Sequence, residues 1–132
     1  MRRAPVLAPE RLIATRVAAA PDALDATQWP ADAIVLRTAP DEAVVLAIVD
    51  AAAVSDPHAI VARETSLFGA WTDRPAAVDL LGRHCDWELP QASRAFAQGA
   101  VAGLPLKVWF DDERVLFVVA APFVVDFVER CR

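Results

Sequence analysis

Two apolar runs near the end of the chain, Leu104–Phe110 and Arg114–Ala120, flank the polar triplet Asp111-Asp112-Glu113 and make the strongest pattern in the sequence. Both are rich in Val, Phe and Trp, which suit a pleated, partly buried surface, so together they predict a β-hairpin. Val115–Val119 has no polar residue at all. That predicts a strand covered on both faces, whereas Lys107 interrupts the first run and turns one of its faces toward solvent. Pro122–Arg130 then reads as a helix whose apolar side closes over the sheet.

The earlier pattern is weaker. Ala33–Ala39 (AIVLRTA) and Ala43–Val49 (AVVLAIV) are strand-like and joined by Pro40-Asp41-Glu42, a second hairpin in which Pro pre-sets φ and the acids stay in water. Asp50–Ser55 reads as a short helical turn, stopped by Pro57. His58–Thr65 alternates, and Leu67–Thr72 resumes strand character after a bend at Thr65-Ser66, with Gly69 suggesting a bulge or a close backbone approach. Asp73 as N-cap and Pro75 in the first turn open a helix through about His84. Its apolar stripe reads as Val78, Leu81 and Cys85, widened by Leu80, with Asp79 and Arg83 paired on the outside. Asp86–Pro90 is a loop, Gln91–Gly99 a turn of helix or an extended segment, and Ala100–Gly103 a lead into the final hairpin. Residues 1–30, broken by Pro5, Pro9, Pro21 and Pro30, read as an extended lead-in with helical turns, leaving 31–132 as the core. Hairpins, a helix, a hairpin and a last helix form the α+β pattern in a single domain, 1–132.

Composition changes this picture in two ways. A chain of 132 residues is long enough to remove about two thirds of its unfolded surface from water, so one self-sufficient core needs no metal or disulfide. The hydrophobic fraction of 56% and mean hydropathy of +0.33 exceed what one small core encloses, which points to a subunit interface. No apolar run approaches the roughly 18 residues that span a bilayer. Pro5, Pro9, Glu10 and Arg11 break the apolar segment a secretory signal needs, so the expected setting is cytoplasmic, without membrane contact. The net charge of −5 argues against a nucleic-acid partner, which requires a basic surface to replace phosphate counterions.

Candidate chemistry is sparse. His58 and His84 join no Asp, Glu or Cys at a helical metal spacing, and adjacent His84-Cys85 point about 100° apart on a helix, a poor chelate. Ser66 with His58 and Cys85 with His84 lack any nucleophile elbow. Cys85 and Cys131 stand in no CxxC spacing and read as reduced structural thiols. Asp111-Asp112-Glu113 matches no calcium loop and reads as a solvated turn. Of Trp29, Trp71, Trp87 and Trp109, Trp71 and Trp109 lie on strands and read as core packing. Trp87, between Asp86 and Glu88, is the better candidate for a ligand or partner contact, against packing over the core edge.

Several short elements carry a family resemblance. They are Ala39-Pro40-Asp41-Glu42 followed by Val44-Val45-Leu46; Glu64-Thr65-Ser66 before Leu67-Phe68-Gly69; Ala77–Cys85 (AVDLLGRHC); Phe96-Ala97-Gln98 with Leu104–Phe110; and Phe117-Val118-Val119 with Pro122–Arg130. In this order the chain resembles the gamma subunit of heterotetrameric sarcosine oxidase and, through it, the folate-binding domain of the aminomethyltransferase (glycine cleavage T-protein) family. The resemblance implies an α+β fold of intertwined ferredoxin-like halves, with β-hairpins of an antiparallel or mixed sheet packed against two main helices. It does not carry an active site across, because Glu64 stands where the folate enzymes have Asp and Leu67 where they have His. The expected function is a non-catalytic accessory or assembly domain, without cofactor, that associates with itself or with oxidase-type partner subunits. The alternatives are a tetrahydrofolate-binding protein of one-carbon metabolism using Glu64 and Trp87, and a free-standing structural homodimer.

Overall fold

The computed structural model describes residues 7–132. In chain order the elements are β1 (Glu10–Arg11), β2 (Ala14–Ala18), α1 (Pro21–Ala26), β3 (Val35–Ala39), β4 (Glu42–Val45), β5 (Ile60–Glu64), β6 (Leu67–Asp73), α2 (Arg74–His84), β7 (Ala95–Val101), β8 (Leu104–Phe110), β9 (Arg114–Ala120) and α3 (Val124–Arg130). The fold is α+β with two antiparallel sheets. The described residues form two compact units, one from 7–11 with Ser66–Arg132, the other from Leu12–Thr65.

In the first unit the strand order is β1-β6-β9-β8-β7. The predicted hairpin is β8–β9, and β9 is central, with every residue from Val115 to Val119 buried. Its alternate residues Val115, Phe117 and Val119 share a core cluster with Ala77, Leu80 and Leu81 of α2 and Phe127 of α3. The ring of Phe117 lies 5.7 Å from that of Phe127. The helix starts as its sequence dictates: Asp73 accepts from the Ala76 amide at 2.8 Å and Pro75 occupies the first turn, where its missing N–H costs nothing.

Two expectations are corrected here, and a third segment takes one of its two expected forms. The buried stripe of α2 is Ala77, Leu80 and Leu81, while Val78 is 41% exposed and Cys85 only partly buried. Gly69 makes no bulge against β9: it stands in unbroken register opposite Val118. Of the Gln91–Gly99 segment, expected as a turn of helix or extended, Ala95–Gly99 is extended and with Ala100–Val101 forms β7, paired residue for residue with β8 around a tight turn at Ala102-Gly103, while 91–94 bends into the strand.

The second unit is a sheet of order β3-β4-β2-β5, with a core of Val17, Leu24, Ala43, Val45, Val49 and Val54. Here the reading of residues 1–30 as a lead-in outside the core fails. Its described part, 7–30, supplies β1, α1 and the interior strand β2, whose Ala14 and Val17 are fully buried. Buried Thr15 is accommodated because its hydroxyl donates to the Ala47 carbonyl oxygen at 2.7 Å and accepts from the Val49 amide at 3.2 Å. The expected second hairpin is β3–β4, and the turn after Asp50 is a short 3-10 helix, Ala51–Ala53, capped by the Asp50 carboxylate. Among the described residues no helix is long and apolar enough to cross a membrane.

Candidate functional site

The feature of the first unit that invites a partner is the outer edge of its sheet. β7 is seven residues long, reads AFAQGAV, and among the described strands pairs with β8 alone. An edge strand offers a row of outward N–H and C=O groups, and proteins usually blunt it with charge, proline or a bulge. β7 has no charge, no proline and an unbroken register.

Trp87 reaches this edge from the loop after α2. Its Nε1 donates to the carbonyl oxygen of Ala100 at 3.0 Å. In an antiparallel ladder alternate residues turn their polar groups away from the partner strand, and the Ala100 carbonyl is such an outward group. Opposite it stands Pro105, which has no N–H to offer. The indole lies over Gly99, where a Cβ would come 2.7 Å from Nε1. Gly99 is opposite Leu106, so the ring occupies the helix side of the sheet and also closes the edge.

The turn beside it is held from two sides. Ala102 and Gly103 both have positive φ, 52° and 78°, the conformation a two-residue hairpin requires. The Ala102 amide donates to the His84 carbonyl at 2.7 Å, and Arg130 Nη1 donates to the Ala102 carbonyl at 2.8 Å. At the other end of β7, Arg74 clamps the approach to the strand by donating to the carbonyl oxygens of Ala92, Ser93 and Asp111 at 2.9, 2.8 and 2.7 Å. Its guanidinium also lies over the Phe110 ring at 5.5 Å. A groove of about 630 Å³ beside this clamp is lined by Arg74, Pro75, Val78, Asp79, Asp112 and Glu113.

The remaining candidates fall as follows. Glu64 ends β5 in the second unit and pairs with Arg16 Nη2 at 3.0 Å, rather than with neighbouring Arg63. Arg16 also meets Glu42 at 3.2 Å. Glu64 is therefore an ion-paired, largely covered carboxylate, with 15% of its side chain exposed. Trp87 belongs to the first unit, where it packs against the core edge. Trp71, expected in the core, is 37% exposed and carries the Arg114 guanidinium 3.7 Å above its ring. His84 ends α2 with Nε2 enclosed and lacking a hydrogen-bond partner among the described residues. Both thiols are free; burial pushes the Cys85 thiol up, with a smaller push from Asp86, and burial does the same to Cys131, so both stay protonated near neutrality. Among the described residues no cluster of three or more His, Cys, Asp or Glu is placed to hold a metal.

Sequence reasoning singled out Trp87 but missed its target, because the Gly99–Ala100 edge exists only once β7 pairs with β8. The Arg74 clamp left no signal, since its acceptors are backbone carbonyls. Compared with known proteins, the chain matches no family model, no curated protein and no solved structure.

Proposed function

We propose that this chain is a non-catalytic association domain, the accessory or assembly role that its resemblance to the sarcosine oxidase gamma subunit implies. The observation that carries the reading is β7, an uncharged seven-residue strand that comes last in the sheet order of the described strands. Adding a strand to such an edge supplies backbone hydrogen bonds without any specialised chemistry. A fold of two intertwined ferredoxin-like halves belongs to the same reading, supported by β1, which precedes the second unit in sequence yet pairs with β6. A cytoplasmic setting belongs to it as well, supported by Cys85 and Cys131, which form no disulfide.

The test is sedimentation of the purified chain, alone and with Gln98→Lys. Gln98 is exposed on β7, and lysine at an exposed edge position blocks strand addition without touching the core. Concentration-dependent association that Gln98→Lys weakens supports the reading. A chain that stays monomeric and binds no oxidase-type subunit overturns it.

A further inference from the structure

We infer that the groove between the start of α2 and the β8–β9 turn is a docking site for a basic, extended segment of a partner protein, with one of its arginine or lysine side chains lying along the groove. The inference goes beyond the association reading, since it concerns a second surface and names the chemistry that surface takes. The groove encloses about 630 Å³, within the size range of sites that hold a ligand. Its two walls are tied to each other. The Arg74 amide donates to the Glu113 carbonyl at 2.9 Å, and Arg74 Nη1 donates to the Asp111 carbonyl at 2.7 Å. Binding therefore has little left to order in the protein itself.

The occupant follows from the lining. Pro75 and Val78 are exposed on the α2 wall, and Val78, at 41% exposure, is the large apolar residue that α2 leaves outside its buried stripe. Asp112 and Glu113 are exposed on the other wall, and among the described residues neither belongs to an ion pair. The cations nearest in the fold are committed elsewhere: Arg94 to Asp111 at 3.3 Å, Arg114 to the Trp71 ring at 3.7 Å, and Arg74 to the carbonyls of Ala92, Ser93 and Asp111. An anion would meet the two carboxylates with the donors of Arg74 already spent. A basic side chain satisfies both parts of the lining, its methylene stem covering Pro75 and Val78 while its head reaches Asp112 and Glu113. A free polyamine brings the charge alone, and exposed charge contributes little in water. A peptide segment adds apolar neighbours that cover Val78, which selects it as the occupant.

The test follows amide chemical shifts of the full labelled chain against three probes: a capped pentapeptide of alternating leucine and arginine, the same peptide with glutamate for arginine, and spermidine. The arginine peptide should move amides within 74–79 and 111–114, spermidine should bind far more weakly, and the glutamate peptide should not bind. Asp112→Asn combined with Glu113→Gln should weaken the arginine peptide about tenfold, and Val78→Ser about threefold through lost apolar contact. All three positions are exposed, so these variants keep the fold. The inference is overturned if the arginine peptide moves no amide in the groove, if its shifts scatter over other acidic residues, if Val78→Ser leaves its affinity unchanged, or if spermidine binds as tightly. Gln98 does not line the groove, so sedimentation with Gln98→Lys reads the association through β7 separately, and either result can fail without the other.

Discussion

The indole of Trp87 and the missing side chain of Gly99 fit one another: a Cβ at position 99 would lie 2.7, 3.1 and 3.2 Å from Nε1, Cδ1 and Cε2 of the ring. Real Cβ atoms do not approach that closely, and an indole moves as one rigid plane. Gly99→Ala should therefore push the ring off the edge, break its bond to Ala100 and cost about 1–3 kcal/mol, the usual range for overpacking. Urea denaturation and the tryptophan emission maximum check this together. An unchanged midpoint with unshifted emission would show that the ring does not lie over position 99.

The β7–β8 turn stores strain that can be relieved. Ala102 has φ of 52°, in the left-handed region that costs a residue with a Cβ roughly 1 kcal/mol and glycine little. Ala102→Gly should stabilise the chain by up to about 1 kcal/mol, less the extra backbone freedom glycine gains when unfolded. Gly103→Ala should act oppositely, because φ is 78° there and the new Cβ meets Arg130 Nη1 at 3.3 Å. Thermal melts of both variants decide it, and a stabilising Gly103→Ala would refute the turn geometry.

Phe117 is fully buried at the centre of β9, in contact with Phe127 across the helix layer. Truncation leaves a cavity that rigid neighbours on the strand and on α3 cannot fill, so Phe117→Ala should cost about 3–5 kcal/mol. A loss below about 1 kcal/mol in chemical denaturation would place this side chain outside the core.

What could be read from the chain before its structure follows a physical division. β9 was legible because five successive apolar residues have few alternatives to a covered strand, and α2 because its cap and proline are local signals. β2 was hidden: ATRVA sets Thr and Arg side by side and so breaks the apolar–polar alternation, and its interior place depends on distant Ala47, Val49, Glu42 and Glu64 to satisfy Thr15 and Arg16. β7 was hidden for a related reason, since AFAQGAV lacks the β-branched density that marks a strand and is extended only through pairing with β8. On α2 the buried stripe was misplaced by one residue because Val78 outranks Ala77 in hydrophobicity. Where a helix approaches a sheet closely, small size decides instead, and Ala77 is the fully buried one.

Folate binding should be weak or absent. A pterin needs a carboxylate for its amino-pyrimidine edge, since buried polar edges left unpaired cost roughly 1–3 kcal/mol each. Glu64 is already engaged by Arg16, whose other arm holds Glu42. Calorimetric titration with tetrahydrofolate should show no binding in the micromolar range. A micromolar or tighter constant that Glu64→Gln abolishes would revive the folate-binding alternative.

Acid should weaken the second unit through Asp56. Its carboxylate accepts from the Ala20 amide at 2.8 Å and the His58 amide at 2.9 Å, and these two bonds hold it below the ordinary carboxylate value despite a small opposing effect of desolvation. In the unfolded chain both bonds are gone and the ordinary value returns. The folded form thus binds the proton less readily, so its contribution is fully present above the unfolded value and is lost as pH falls through the lower folded one. Asp111 in the first unit titrates with the same sign, its carboxylate held down chiefly by the Asp112 amide and further by Arg94. Urea midpoints should accordingly hold steady near neutrality and fall below about pH 4. Asp56→Asn removes this group's titration while keeping one acceptor oxygen, so the variant should be less stable at neutral pH and lose less on acidification. An acid slope identical to that of the unaltered chain would show that the two amide bonds at Asp56 do not persist in solution.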